Sequence, residues 1–265
     1  MNITSNFQKK EGENIEIVYT IPADLILKTK EEVVKELGKD ITLSGFRKGM
    51  APPNQVENSI SQDKLNEHIL SHILPKAFAD SVKEYKFNPA MYPKFEVVKI
   101  GQGSDWEIKT ITCELPKVVL GGYKQSLAKF FGKKKPTVDE LIRELPQIVK
   151  LEIPKLLIDE EVNERLSQLL SRIEKLGLQL EGYLKSVGKT VEELRDEYQK
   201  QASNAISLEL ILNEIANEEK VEVSEKEIDE FIKTTGSDSS KISDDQRKML
   251  KRVVLRRKAL ENILK

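Results

Sequence analysis

Residues 15–21, Ile-Glu-Ile-Val-Tyr-Thr-Ile, place Ile15, Ile17, Tyr19 and Ile21 at every second position. Only an extended strand turns that spacing into one continuous apolar face. From about Thr137 onward the apolar residues recur instead at three and four, the period of a helix. No single architecture satisfies both periods along its whole length. The fold class they predict is an α+β part followed by an all-α part.

Within the first part, Gly12 and Asn14 supply a turn before the strand, so residues 2–9 are expected to return as its hairpin partner. Pro22 opens a helix to about Leu37, with Ile26, Val33, Val34 and Leu37 on one stripe and Gly38 as its stop. A second helix is expected over about 62–85, on Leu65, Ile69, Ile73, Ala77 and Val82, kinked at Pro75. Strands follow at about 94–100 and 105–115. In the last of them the apolar parity changes between Ile108 and Ile111, which predicts a bulge.

Residues 121–136 carry five lysines (Lys124, Lys129, Lys133, Lys134, Lys135) and no acid, interleaved with Leu127, Phe130 and Phe131. This stretch reads as a boundary, so the expected organisation is a first domain over 1–118, a linker over 119–136 and a helical domain over 137–265. Helix starts in the last part announce themselves. Thr137 with Glu140, Thr190 with Glu193 and Ser224 with Glu227 have the spacing of reciprocal caps. Val162, Leu166, Leu169, Ile173 and Leu176 form one apolar seam, and Val191, Leu194, Tyr198, Ala205, Leu208, Leu212 and Ile215 another. Residues 236–240 read as a polar linker before a last helix over 244–264. Residues 137–243 hold 14 basic and 24 acidic side chains, and 244–265 hold 8 and 3, so the helical part is acidic with a basic end.

Charge excludes several functions. Over the whole chain 43 basic and 44 acidic residues nearly cancel, leaving no global field to draw in DNA or an anionic membrane, and any RNA contact must be local. Aromatic content of 6% argues against an extended stacking platform. The polar start of the chain lacks a signal peptide's apolar stretch, no segment approaches a membrane span, and the single Cys113 cannot form an internal disulfide. A cytoplasmic protein is expected, without metal or other cofactor.

The segment with the most functional content is Gly45, Phe46, Arg47, Lys48, Gly49, Met50, Ala51 and Pro52. Two glycines flank an aromatic and two cations, and a proline stiffens the exit, a composition suited to a docking tip. An ordinary surface loop whose phenylalanine folds back on the core fits the residue types equally well. The loop resembles the ribosome-binding signature of the trigger factor family, Gly-Phe-Arg-x-Gly followed by a proline. Residues 88–90 and 114–123 resemble the same domain of that family. Residues 153–164, 177–184, 188–190 and 208–223 resemble its helical chaperone domain. Met50 and Ala51 depart from the usual lysine and valine, which implies slightly weaker docking.

The resemblance implies an ATP-independent chaperone that docks on the large ribosomal subunit near the exit tunnel, touching protein and rRNA. It implies unfolded nascent polypeptides as the other partner and self-association off the ribosome. Docking would fall to Gly45, Phe46, Arg47, Lys48, Gly49 and Pro52. Leu166, Leu169, Ile173, Tyr198, Leu208 and Leu212 are the candidate substrate cradle. Family members usually carry an FKBP-type prolyl-isomerase domain between the two halves, and the stretch from Tyr123 to Pro154 is too short for one. No catalytic residue is therefore expected. Residual prolyl isomerisation, and a fixed-partner assembly protein using the helices, are the rival readings.

Other motifs have simpler readings. Residues 188–190, Gly-Lys-Thr, lack the preceding strand and glycine of a phosphate loop and suit a helix cap. His68 and His72 share a helical face but have no evident third ligand for zinc. Cys113 reads as a small core residue.

Overall fold

The computed structural model describes residues 3–234 and 242–264, so the linker expected at 236–240 lies outside the described residues. The chain divides into two compact units, Met1–Leu115 and Pro116–Lys265. A small antiparallel sheet with helices makes the first, and helices alone make the second, as the two apolar periods require.

In the first unit β1 (Thr4–Lys9) and β2 (Asn14–Ile21) form the expected hairpin, and with β3 (Lys94–Lys99) and β4 (Trp106–Cys113) they complete a sheet of order β1-β2-β4-β3. One face of β2, with Ile15, Ile17, Tyr19 and Ile21, is at most 1% exposed. It packs in one core with α1 (Ala23–Gly38), α2 (Pro53–Ser59) and α3 (Gln62–Tyr85) through Val33, Val34, Val56, Leu65 and Ile69. Each such side chain contributes roughly 1.5–3 kcal/mol of burial. The hydroxyls of the tyrosines are satisfied: Tyr19 Oη donates to Ser81 Oγ at 3.0 Å and Tyr85 Oη to Ser5 O at 3.1 Å, while Phe7 stacks on the Tyr85 ring with centres 4.5 Å apart.

Two expectations for this unit need correction. α2 is a helix that the apolar pattern did not predict, because only Val56 in it is buried. β4 has no bulge between Ile108 and Ile111. Its pairing with β2 runs without a shift from Asn14↔Cys113 to Ile21↔Trp106. Thr110 and Thr112 keep the parity on the buried face while Ile111 turns to the other. Threonine is β-branched and packs there much as valine does. The irregularity lies instead on β3, between Val97 and Lys99. α3 remains one helix through Pro75.

The second unit holds α4 (Tyr123–Phe131), α5 (Val138–Ile148), α6 (Lys155–Lys175), α7 (Leu180–Val187), α8 (Val191–Glu218), α9 (Glu225–Thr234) and α10 (Asp244–Ile263). α8 packs with α5, α6 and α10. Thr137 and Thr190 form complete capping boxes with Glu140 and Glu193, and Ser243 forms one with Gln246 that the sequence reading passed over. The stretch expected to be a linker contains α4, whose Tyr123 and Leu127 join Leu141, Leu145, Ile211 and Ile215 in a single core. Its lysines suggested an open connector, but its apolar residues at i and i+4 anchor it. No helix of the described residues is long and apolar enough to cross a membrane.

Candidate functional site

The loop after α1 is built from its base upward. Ile41 and Leu43 pack against the core of the first unit, fixing where the loop leaves the body. Two successive turns follow. Phe46 N–H donates to Leu43 O at 3.0 Å, and Met50 N–H donates to Arg47 O at 2.9 Å. Gly49 N–H returns to Ile41 O at 3.3 Å and closes the loop on itself. Gly49 has φ +79°, and a Cβ there would stand 3.1 Å from the carbonyl oxygen of Lys39. Both the backbone conformation and the space demand glycine. Pro52 then caps α2, with Pro53 at its first turn, and Val56 ties that helix into the core beside Gly38.

The result is a pinned frame carrying an exposed tip of one aromatic and two cations. Phe46 is 38% exposed and Met50 72%. Lys48 Nζ lies 3.3 Å from Asp40 Oδ1, but both side chains are largely in solvent, so the pair is worth at most about 1 kcal/mol and is easily given up. No ion pair to Arg47 is present among the described residues. The tip can therefore offer a guanidinium fork, an ammonium and two apolar groups to one partner surface. Met50, read from sequence only as a departure from the family pattern, is the more exposed of the tip's two large apolar side chains.

The six helical cradle candidates do not form one exposed surface. Ile173 and Leu212 are 3% and 6% exposed and serve the core, so they cannot meet a partner without opening the unit. Leu166, Leu169, Tyr198 and Leu208 are half-buried. Greater exposure falls on residues the periodicity did not single out as cradle: Leu170, Leu176, Leu178, Val187 and Val191, which lie on α6, α7, α8 and the turns joining them. Leu176 and Val191, the end members of the two apolar seams, are 74% and 56% exposed: at a helix end the apolar period continues past the neighbour that would cover it.

The motifs set aside resolve as local structure. Gly188, at φ +65°, ends α7 and Thr190 starts α8. His72 Nε2 sits 3.2 Å from Glu36 Oε2, and among the described residues no cluster of metal-ligating side chains surrounds either histidine. Cys113 is fully buried, and burial pushes its thiol up to about 11, which keeps it protonated.

Known families match on both sides of this arrangement. The family model described as bacterial trigger factor protein (TF) matches residues 3–145, and that of the bacterial trigger factor protein C-terminus matches 132–265. The chain belongs to the trigger factor family. The two matches overlap, leaving no residues between them. The trigger factor of Staphylococcus epidermidis is 32% identical over 123 residues, 46% of this chain and 28% of that protein. That of Streptococcus agalactiae serotype III is 28% identical over 139 residues, 52% and 33% of the two chains. The matched stretches thus span a third or less of those trigger factors. A solved structure described as "Promiscuous Substrate Recognition in Folding and Assembly Activities of the Trigger Factor Chaperone" shares the fold over 100% of this chain and 99% of its own, with a TM-score of 0.68 at 14% identity.

Proposed function

We propose that this trigger-factor-family chain is an ATP-independent chaperone of the cytoplasm that docks on the large ribosomal subunit beside the nascent-chain exit. The docking residues are Gly45, Phe46, Arg47, Lys48, Gly49 and Pro52. The observation that carries the reading is the tip itself: exposed Phe46 and Met50, an Arg47 without an ion pair among the described residues and a weakly paired Lys48, all held on a frame that Gly49 makes possible. Pre-shaping of this kind lowers the ordering cost of binding. The helical part, from about residue 137, shields emerging apolar segments, and the exposed Leu170, Leu176, Leu178, Val187 and Val191 are its contact groups. No prolyl isomerisation is expected, since the two family matches overlap and leave no room for an intervening domain. Co-sedimentation with purified ribosomes tests the docking step. Phe46→Ala, Arg47→Ala and Lys48→Ala combined should remove pelleting while the circular dichroism spectrum stays unchanged. A triple variant that still pellets at wild-type affinity would sink the assignment.

A further inference from the structure

The lysine-rich stretch of 121–136 has no part in docking through residues 45–52, and its structure is not that of a plain solvated run. Tyr123 and Leu127 bury one side of α4 and fix it in the core of the helical unit. Gly132, at φ +58°, then turns the chain so that Lys133, Lys134 and Lys135 follow the helix end in succession. Two of the five lysines are engaged: Lys124 with Glu219 at 2.8 Å and Lys134 with Glu140 at 2.5 Å. Lys129, Lys133 and Lys135 are exposed and form no ion pair among the described residues. Beside them Phe130 is 58% exposed, its ring edge-on to Phe131 with centres 5.0 Å apart. Leu127, Phe131, Lys133, Lys134 and Lys135 line a cavity of about 390 Å³, together with the Lys124–Glu219 pair.

Cations after a helix C-terminus complement its dipole, and that alone would explain one lysine. It does not explain an exposed phenylalanine beside three uncompensated charges. We propose that α4 and the loop following it form a contact for single-stranded RNA, the lysines meeting successive phosphates and Phe130 stacking on an unpaired base. A purely acidic segment would satisfy the lysines alone, whereas RNA satisfies them and stacks an unpaired base on the exposed ring. The aromatic content that excludes an extended stacking platform does not exclude a local site, which needs one ring. With a net charge of −1 over the whole chain, attraction here is short-ranged and strongly salt-dependent.

The test is fluorescence anisotropy of a labelled uridine 12-mer with the full chain, across a low-to-moderate salt series. Three phosphate contacts on a single strand predict a log–log salt slope of about −2. Replacing Lys129, Lys133 and Lys135 with Gln should remove most of that slope and weaken binding at least tenfold. Phe130→Ala should weaken binding about tenfold and leave the slope unchanged, since stacking carries no counterion release. The three lysines are exposed and Phe130 is 58% exposed, so the circular dichroism spectrum of each variant should match the wild type. The triple lysine variant should still pellet with ribosomes through the docking loop of residues 45–52, which separates this site from that loop whichever of the two fails. Absence of binding at low salt, or a triple lysine variant that binds as the wild type does, overturns the proposal. So does a glutamate 12-mer that binds as tightly as RNA and ignores Phe130→Ala, because the partner is then an acidic protein.

Discussion

The sheet-bearing unit and the helical unit distribute their apolar residues in opposite ways. Four of the eight residues of β2 are at most 1% exposed and converge on one core, whereas the 21 residues of α6 bury only Val162 and Ile173. A strand in a sheet covered on one side has its inward positions fixed by pleat and pairing, so its apolar side chains have a single place to go. A helix packed along a narrow seam leaves two thirds of its circumference to solvent. The first unit thereby gains a stiff body on which a short loop is held in one shape. The second keeps apolar positions in solvent, at the expense of core.

The largest effect that separates the two comes from equal truncations. Ile17→Ala in β2 should destabilise the first unit by about 2–5 kcal/mol, the usual cost of a cavity at a fully buried site. Leu176→Ala, at a residue 74% exposed, should change stability by no more than about 0.5 kcal/mol. It should nonetheless shorten the delay that the chain imposes on aggregation of an unfolded protein. Urea unfolding and light scattering give the two readouts. A Leu176 variant that loses several kcal/mol would show that the exposed helical surface is core in solution, and the contrast between the units would collapse.

A smaller effect sharpens the claim that the stiff unit shapes the loop. Gly45 and Gly49 both have positive φ, but a Cβ at Gly45 meets open space while one at Gly49 meets the Lys39 carbonyl. The left-handed conformation alone costs a substituted residue about 1–2 kcal/mol. Gly49→Ala adds the backbone contact, which cannot move without disturbing the end of α1. Ribosome pelleting should therefore fall further in Gly49→Ala than in Gly45→Ala. Equal loss in both would mean that the frame has no preferred shape and that only the tip's composition matters.

How much of this was legible before the structure follows the same division. The alternation at residues 15–21 and the caps at Thr137, Thr190 and Ser224 depend on nearest neighbours along the chain, and the structure has each of them. What escaped depends on neighbours far away in sequence. Nothing local distinguishes the buried Thr110 and Thr112 from exposed threonines; their pairing opposite Ile17 and Ile15 decides it. Likewise α4 looked like a connector because its stretch carries five lysines and no acid, yet Tyr123 reaches Glu219 at 3.1 Å, at the C-terminal cap of α8 and 96 residues later. The tip composition of residues 45–52 was readable, whereas its frame was not, since the Gly49–Ile41 and Gly49–Lys39 relations exist only in three dimensions. The cradle was the least legible, because exposure at a helix end is set by what the next helix fails to cover.

The smallest expected effect concerns acid and tests whether the thinly packed unit leans more on surface charge. Glu227 links α9 to α10: Lys258 Nζ donates to its Oε1 at 2.7 Å, and Ser224 N–H and Oγ–H donate to its Oε2 at 2.8 and 2.9 Å. The Lys258 hydrogen bond first, and the Ser224 backbone second, hold its carboxyl down to about 2. Glu140, held down to about 2 by Lys134 and Thr137, belongs to the same unit. A carboxylate whose folded pKa lies below its unfolded value of about 4.5 favours the folded state while it is charged. Its contribution is complete above pH ~4.5 and is lost as the pH falls toward 2. Thermal unfolding between pH 6 and 2.5 can follow the units separately, because the single tryptophan, Trp106, lies in the sheet-bearing unit while the helical circular dichroism signal comes mainly from the other. The helical midpoint should decline across that window, and Glu227→Gln should start lower at pH 6 and decline less steeply. Because the group is exposed and screened, the change is small and should shrink further with added salt. A Glu227→Gln variant with the wild-type pH slope would show that this link contributes nothing in solution, and the acid sensitivity of the helical unit would then have to come from elsewhere in its surface.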